Sequence, residues 1–486
     1  MEETLVRSQC GLYTVLVGQK TIHSRYNPLT EAERYIVSLN LDDNIQYIIL
    51  AECGLCYLIL PLRRKFPRAK IVSLHASEFY LGKSAAPPDA EWLPGSPVGV
   101  FLENEIDDTE ADKIKIIEWR PAADVYGEKY LNLIKDITTF VKRADANKRT
   151  RSAFGRRWVK NVIKNCFLFN NDTNMALPAR CDSDCVVAGA GPGLEDAYGA
   201  IRRVVNGGAL LVAVSSAVSA LFHAGLNPDI IVACDGGNWA LLHLFEVVRL
   251  FSKKEGRNGP HPPALAFNLS AALPSWCTMF NLLPFSDGTL FQNLAQKCFD
   301  MPPLSFPQRG TVGASALDLA FYLSGGAVYT AGIDFSHNDI RTHAKPYAFD
   351  KILFCAANRM RPLYSLQFER AEMINSSGAN RIYAEWFAAQ NYRRKIYPVT
   401  DDTVTTESGS GKCGVVKHVK KSHVKNPVTR LVTVLINALE SPEISGKLTE
   451  ELSGLLLNGS PPAGHDFREE LLSISGKYRD MERQNG

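Results

Sequence analysis

"CVVAGAGPGLEDAYGAIRRVVNGGALLVAVSSAVSALFHAGLNPDIIVACDGG", residues 185–237, decides the fold of this chain. Apolar runs beginning at Cys185, Leu210 and Ile230 alternate with stretches of helical spacing, and a glycine turn follows the first run. That order reads as strand, turn, helix, strand, helix, strand. Further along, "PALAFNL" (263–269) and "GGAVYTAGIDF" (325–335) read as more strands, the second preceded by a helix, "VGASALDLAFYL" (312–323). Strands alternating with helices form a mostly parallel sheet covered by helices. The expected fold class is α/β, with a Rossmann-like central domain over residues 181–400.

The regions on either side differ in character. In residues 1–125, "IQYIILAE", "CGLCYLILPLRRKF" and "AKIVSLH" read as strand, helix and strand, a βαβ unit. Its turn holds a single glycine, Gly54, where a dinucleotide fingerprint needs three, and His75 stands where an acid for the ribose would sit. This N-terminal domain is therefore read as degenerate and structural, binding no cofactor. Residues 126–180 form a helical connector whose basic middle, with Arg149, Arg151, Arg156 and Arg157, is expected to be a solvated face. Residues 401–427, rich in Ser, Gly and Lys, read as a linker or mobile loop, and 428–486 as a C-terminal helical region.

Composition narrows the function classes. At 486 residues the chain is too long for one core, and two or three domains are expected. A net charge of +3 gives no electrostatic footprint for nucleic acid. No run approaches the roughly 20 apolar residues of a membrane span. The opening "MEETLVRSQC" has no apolar stretch of a secretory signal. Eleven cysteines without framework spacing suit reduced thiols in a cytoplasm. Cys53–Cys56 and Cys181–Cys185 lack partner pairs for a zinc site and read as buried small hydrophobes.

In an open parallel sheet, ligands bind beyond the carboxyl ends of the strands. "GAGPGL" (189–194) follows the first central strand; its glycines allow close backbone approach, and a helix expected to start near Glu195 aims N–H groups at an anion. Ser215 ends the second strand and Asp235 the third, the latter either a ligand for a sugar hydroxyl pair or a turn aspartate. Arg309 and Thr311 open a helix, a place that suits a phosphate, although Thr311 also fits a simple N-cap. Finally "GAVYTAGIDFSHNDIRTHAKPYAFD" (326–350) carries a core strand into a polar run holding Asp334, His337, Asp339, Arg341, His343, Lys345 and Tyr347. So many such groups at one strand end point to a binding or catalytic edge.

At these residues the chain resembles the Maf (motility accessory factor) flagellin glycosyltransferases, whose core is related to 6-hydroxymethylpterin diphosphokinases. "TIHSRYNPLTEAERYI" (21–36) and "RRWVKNVIKN" (156–165) extend that likeness beyond 185–350. More distantly it is similar to small bacterial sialyltransferases that use CMP-sialic acid, through "AGAGPGL", "QRGTVGASALDLAFYLSGGAVYTAGIDF" and "YAFD". This resemblance implies that Gly189, Gly191 and Pro192 shape a CMP site. Ala190 and Gly193 depart from the Asn and Ser of the sialyltransferase turn, while Ser215 and Asp235 fall where that family has Asn. It further implies that Tyr347 steadies the departing phosphate. His343, within "RTHA", stands in as base for the acceptor.

The implied activity is metal-independent, inverting transfer of a nonulosonic (sialic-like) sugar from a CMP donor to Ser or Thr of flagellin. Arg309, Thr311 and Asp334 complete the donor site, and no cofactor is required. Two alternatives stand beside it: pyrophosphate transfer from ATP, as in 6-hydroxymethylpterin diphosphokinases, and a non-catalytic flagellin-binding protein.

Overall fold

Strands that are apolar at every position have to be covered on both faces, and the central strands of this chain are of that kind. The computed structural model describes residues 2–168, 174–252, 262–307, 309–376, 379–390, 394–400, 416–420, 426–457 and 465–485. They fall into two units, Met1–Thr150 and Arg151–Gly486. Helix Glu128–Leu168 begins in the first and ends in the second, so the boundary lies inside the expected connector.

The first unit holds two sheets. Strands β1 (Glu3–Arg7), β2 (Tyr13–Val17) and β3 (Lys20–Thr21) form an antiparallel meander. Strands β4 (Tyr47–Ala51), β5 (Lys70–Leu74), β6 (Ala90–Trp92) and β7 (Ile114–Glu118) form a parallel sheet of order β6-β5-β4-β7. This is the expected βαβ arrangement, with helix Ile59–Lys65 between β4 and β5. Helix Pro28–Ser38 is fixed at its start by Asn27, whose side chain accepts from the N–H groups of Leu29 and Thr30.

Among the described residues the second unit is built on nine strands: β8 (Asn174–Pro178), β9 (Cys185–Ala188), β10 (Leu210–Val214), β11 (Ile230–Ala233), β12 (Ala264–Asn268), β13 (Asn281–Phe285), β14 (Val328–Ala331), β15 (Ile396–Pro398) and β16 (Val416–Lys420). Their order is β15-β14-β9-β10-β11-β12-β13-β8-β16, parallel throughout except that β16 runs antiparallel to β8. Every residue of β9, β10, β11 and β12 is buried, so the sheet is covered on both faces. Helix Val312–Leu323, rich in alanine and small residues, lies against β9, β10 and β11.

Three details go beyond the sequence reading. Strand β14 is followed by short β15, which pairs with it in parallel. Within 401–427, residues 416–420 form β16; 401–415 and 421–425 lie outside the described residues. The C-terminal helices Pro427–Glu440, Ser445–Leu456 and Phe467–Asn485 place Val428, Leu431, Leu435, Leu448, Leu452 and Leu471 in the same core as the sheet. Among the described residues no helix is long and apolar enough to cross a membrane.

Candidate functional site

The chain leaves β9 on one side for β10 and returns as β14 on the other, so the strand order reverses between β9 and β14. Such a reversal opens the crevice in which α/β sheets bind ligands. Two loops meet there, Gly189–Gly193 after β9 and Gly332–Asp334 after β14. They are sewn together: the Gly189 N–H donates to Ala331 O (2.8 Å), the Gly191 N–H to Gly332 O (2.7 Å) and the Gly193 N–H to Asp334 Oδ2 (2.8 Å). A Cβ at Gly189 would stand 2.3 Å from Gly332 O. One at Gly191 would be 2.3 Å from Asp334 Oδ2, and one at Gly193 2.7 Å from Asp334 Oδ1.

The glycines therefore serve the approach of two loops, and their N–H groups are already spent within the protein. This changes the reading of the turn as an anion cradle. The helix expected near Glu195 in fact starts at Tyr198, after a single 3-10 turn over Pro192–Leu194. Glu195 instead holds the polar run in place: it accepts from the Lys345 N–H (2.8 Å) and from Arg341 (3.3 Å), while the Ala344 N–H donates to Ala190 O (2.9 Å).

Much of that run proves to be scaffolding. His337 Nδ1 lies 2.6 Å from Asp339 O, Asn338 and Arg341 bridge each other, and Lys345 Nζ pairs with Asp350 (2.5 Å). His343 and Tyr347 are different. Their rings stack at 4.0 Å with 14° between planes. His243, from helix Leu241–Ser252, lies 5.2 Å from the Tyr347 ring and stacks on Phe349 at 4.6 Å. Arg370, from helix Leu363–Ser376, stands 4.9 Å above the Tyr347 ring and 6.0 Å from Phe349.

Electrostatics follow from this packing. Burial, with Arg370, His243 and Lys345 adding to it, pushes His343 down to about 3. Burial and Arg370 push His243 down to about 4. Both rings are neutral at pH 7. Burial raises Tyr347, with Arg370 opposing, so its hydroxyl keeps its proton and is available as a donor. Asp235 adds to that rise, which places its charge at the same mouth.

The remaining predicted residues occupy distinct places. Ser215 is half-buried at the end of β10, its N–H bonded to Val232 O. Exposed Asp235 accepts from the Gly237 N–H (2.7 Å), the turn role weighed for it. Its loop is braced by helix Glu128–Leu168: Asn161 donates to Gly236 O (3.1 Å) and Ser270 O (2.9 Å). Arg309 is engaged by buried Asp318 (3.3 Å) and lies 5.4 Å from the Trp386 ring. Thr311 occupies the N-cap position with extended backbone and no side-chain cap bond. The structure thus brings His343, Tyr347 and Asp235 to one mouth and ties Pro192's turn to Asp334. Arg309 is engaged in its own ion pair with Asp318.

His243, Phe349, Arg370 and Glu195 were not singled out from the sequence. His243 and Arg370 sit in helices outside every quoted motif, and nothing local marks them. Glu195 and Phe349, by contrast, lie inside the quoted motifs.

In the first unit, the ends of β4 and β5 carry buried polar side chains. Glu52 and His75, at the ends of β4 and β5, are fully buried. Glu52 accepts from the Ala76 N–H and from the Gly54 N–H (3.3 Å); His75 Nε2 lies 3.1 Å from Ser73 Oγ and 3.3 Å from Glu91. Burial opposes protonation of His75, but contacts with Cys56, Glu52 and Glu91 outweigh it and hold its pKa well above the ordinary value. Cys53 and Cys56 are free and buried, as expected.

Comparison with known proteins agrees with the central core. Residues 157–339 match the family described as 6-hydroxymethylpterin diphosphokinase MptE-like. Two uncharacterized proteins of Treponema pallidum (strain Nichols) are similar to the chain, one 27% identical over 298 residues and one 24% identical over 382. Those matches cover 59% and 74% of this chain, and they span 59% and 64% of the relatives, less than two thirds of their length. A solved Maf glycosyltransferase from Magnetospirillum magneticum AMB-1 aligns over the whole chain and 86% of its own, at 12% identity and a TM-score of 0.46. The relation to 6-hydroxymethylpterin diphosphokinases read at residues 185–350 agrees with the family match over residues 157–339.

Proposed function

We propose that this chain is an inverting glycosyltransferase that moves a nonulosonic sugar from a CMP donor to serine or threonine hydroxyls of flagellin in the cytoplasm. One observation carries the reading: a neutral histidine, His343, is stacked on a buried, proton-bearing tyrosine, Tyr347, at the switch-point mouth of an MptE-like core. An acceptor hydroxyl attacks the anomeric carbon as the bond to the CMP phosphate oxygen breaks. The hydroxyl proton passes to the free imidazole nitrogen of His343, and the Tyr347 O–H donates to the departing phosphate oxygen. We assign these steps to protein side chains and require no cofactor.

A protein acceptor is supported by what surrounds the cluster. The helix that carries His243 also carries exposed Phe245, which packs against Trp276 at 4.2 Å. Exposed Ile352 and Phe354 follow Phe349 directly, and exposed Tyr364 and Phe368 share the helix of Arg370. Aromatic side chains around a cleft are what a polypeptide partner buries.

A second reading, pyrophosphate transfer from ATP, is favoured by the family description of residues 157–339. Thermal shift separates the two, since a ligand stabilises the fold that binds it. CMP is expected to raise the melting temperature and ATP with magnesium is not. Stabilisation by ATP–magnesium alone would replace the first reading with the second.

A further inference from the structure

Three features of the second unit suit an anion on sequence grounds: the glycine turn, Arg309 and the basic end of the polar run. The structure spends the first two. The Gly191 and Gly193 N–H groups are bonded to Gly332 O and Asp334, and Arg309 is paired with Asp318. Within the polar run, Arg341 and Lys345 are paired with Glu195 and Asp350. Arg370 comes from outside every motif. It is half-buried over the faces of Tyr347 and Phe349, and among the described residues no carboxylate is paired with it. Its guanidinium stands over the Tyr347 ring, with His343 against the same ring.

We propose that Arg370 is the residue that receives the anionic phosphate of the nucleotide donor, and that the glycine turn with Asp334 receives its uncharged, hydroxyl-bearing part. This rests on the glycosyltransferase reading and orients the donor within it. Chemistry supports the division. A guanidinium presents a planar fork of N–H donors that matches phosphate oxygens, and one standing on aromatic faces is partly desolvated already. A carboxylate such as Asp334, held by a backbone N–H, repels a phosphate but accepts from hydroxyls. A phosphate bound at Arg370 would also offset the positive charge that disfavours a proton on His343, so donor binding prepares the base.

The test is calorimetric titration of the full chain with CMP and with cytidine, in wild type, Arg370→Ala, Arg370→Gln and Arg370→Lys. Wild type is expected to bind CMP more tightly than cytidine. Arg370→Ala and Arg370→Gln should weaken CMP binding about 10- to 100-fold while leaving cytidine unchanged, since a hydrogen-bonded charge pair is lost. Arg370→Lys should fall between, keeping the charge but not the fork. Should Arg370→Ala fail to fold, Arg370→Gln, which keeps most of the side chain over the rings, decides the point. CMP binding that is equal in wild type and Arg370→Gln overturns the assignment. If wild type binds neither CMP nor cytidine, the CMP reading fails, and inorganic pyrophosphate then tests Arg370 alone. Thermal stabilisation that Arg370→Gln abolishes upholds the anion site, and none overturns it.

Discussion

The carboxylate of Asp334 accepts a hydrogen bond from the Gly193 N–H at 2.8 Å, across the point where the strand order of the central sheet reverses. Gly191 and Gly193 are both within side-chain reach of that carboxylate, and neither has a positive φ, so glycine is needed there for space alone. Gly193→Ala is expected to cost about 1–3 kcal/mol, the usual cost of forcing atoms into a packed site. Asp334→Asn should lower stability before it lowers activity. Combining Gly193→Ala with Asp334→Ala should cost less than the sum of the two changes, because the carbon that clashes and the group it meets are removed together. Denaturant unfolding of the two single variants and the double one reads this out, and strict additivity would show the contact to be unimportant.

Tyr347→Phe keeps the ring stacked on His343 and removes only the hydroxyl. Turnover is expected to fall about 100-fold or more, as for loss of a comparable preorganised donor. Melting temperature should stay close to wild type. His343→Ala should be as damaging to transfer if its nitrogen takes the acceptor proton. Flagellin mass shift in cells carrying each variant measures both, and normal modification by the two variants would remove them from the mechanism.

Acidification should weaken the second unit through its neutral histidines. His243 is pushed down to about 4 and His343 to about 3, below the ordinary value near 6.5. The unfolded chain therefore binds more protons than the folded one between those values. Their contribution is fully present above about pH 6.5 and is lost as pH falls towards 4 and then 3. His243→Phe, which keeps an aromatic ring beside Phe349, should flatten the decline in stability between pH 6.5 and 4. Ring titration of both histidines by NMR gives the direct check.

The exposed aromatics should affect the acceptor and not the donor. Phe354→Ser and Phe368→Ser are expected to leave CMP binding unchanged and to raise the KM for the acceptor protein several-fold. Steady-state kinetics with acceptor varied at saturating donor would reveal this. An unchanged KM would mean the acceptor docks elsewhere.

In the first unit, Gly54 has φ +57°, and a Cβ there would stand 2.5 Å from His23 Nε2, the atom that accepts the Leu55 N–H at 2.9 Å. Gly54→Ala is expected to destabilise this unit by about 2–4 kcal/mol, through strain and a lost buried hydrogen bond. S-adenosylmethionine should leave the melting temperature of wild type unchanged, because Gly54 is the single glycine of the turn and Glu52 and His75 at the strand ends are buried and engaged within the protein. A ligand-induced rise that Gly54→Ala abolishes would make this unit a cofactor domain after all.

Much of the architecture was written locally. Runs such as "LLVAV" and "IIVA" are apolar at every position, which only a strand covered on both faces tolerates, and their alternation with helical spacing was enough to give a parallel α/β core. The glycine turn, Asp334, His343 and Tyr347 were legible because they fall at predicted strand ends. Strand β13, "NLLPF", was passed over, since a short apolar run has no period of its own to separate strand from buried coil. The sequence could not assign the glycines their duty, because whether a bare backbone faces a ligand or a neighbouring loop depends on what the next strand brings alongside. Nor could it bring together His243, Tyr347 and Arg370, which come from three separate segments between residues 241 and 376. Side-chain periodicity is set within a few residues, whereas the stacking of these rings is set by where helices pack on a sheet. Local chemistry determined the elements and the candidate edge; only the tertiary structure decided which of its charges are spent on the fold and which are left for a ligand.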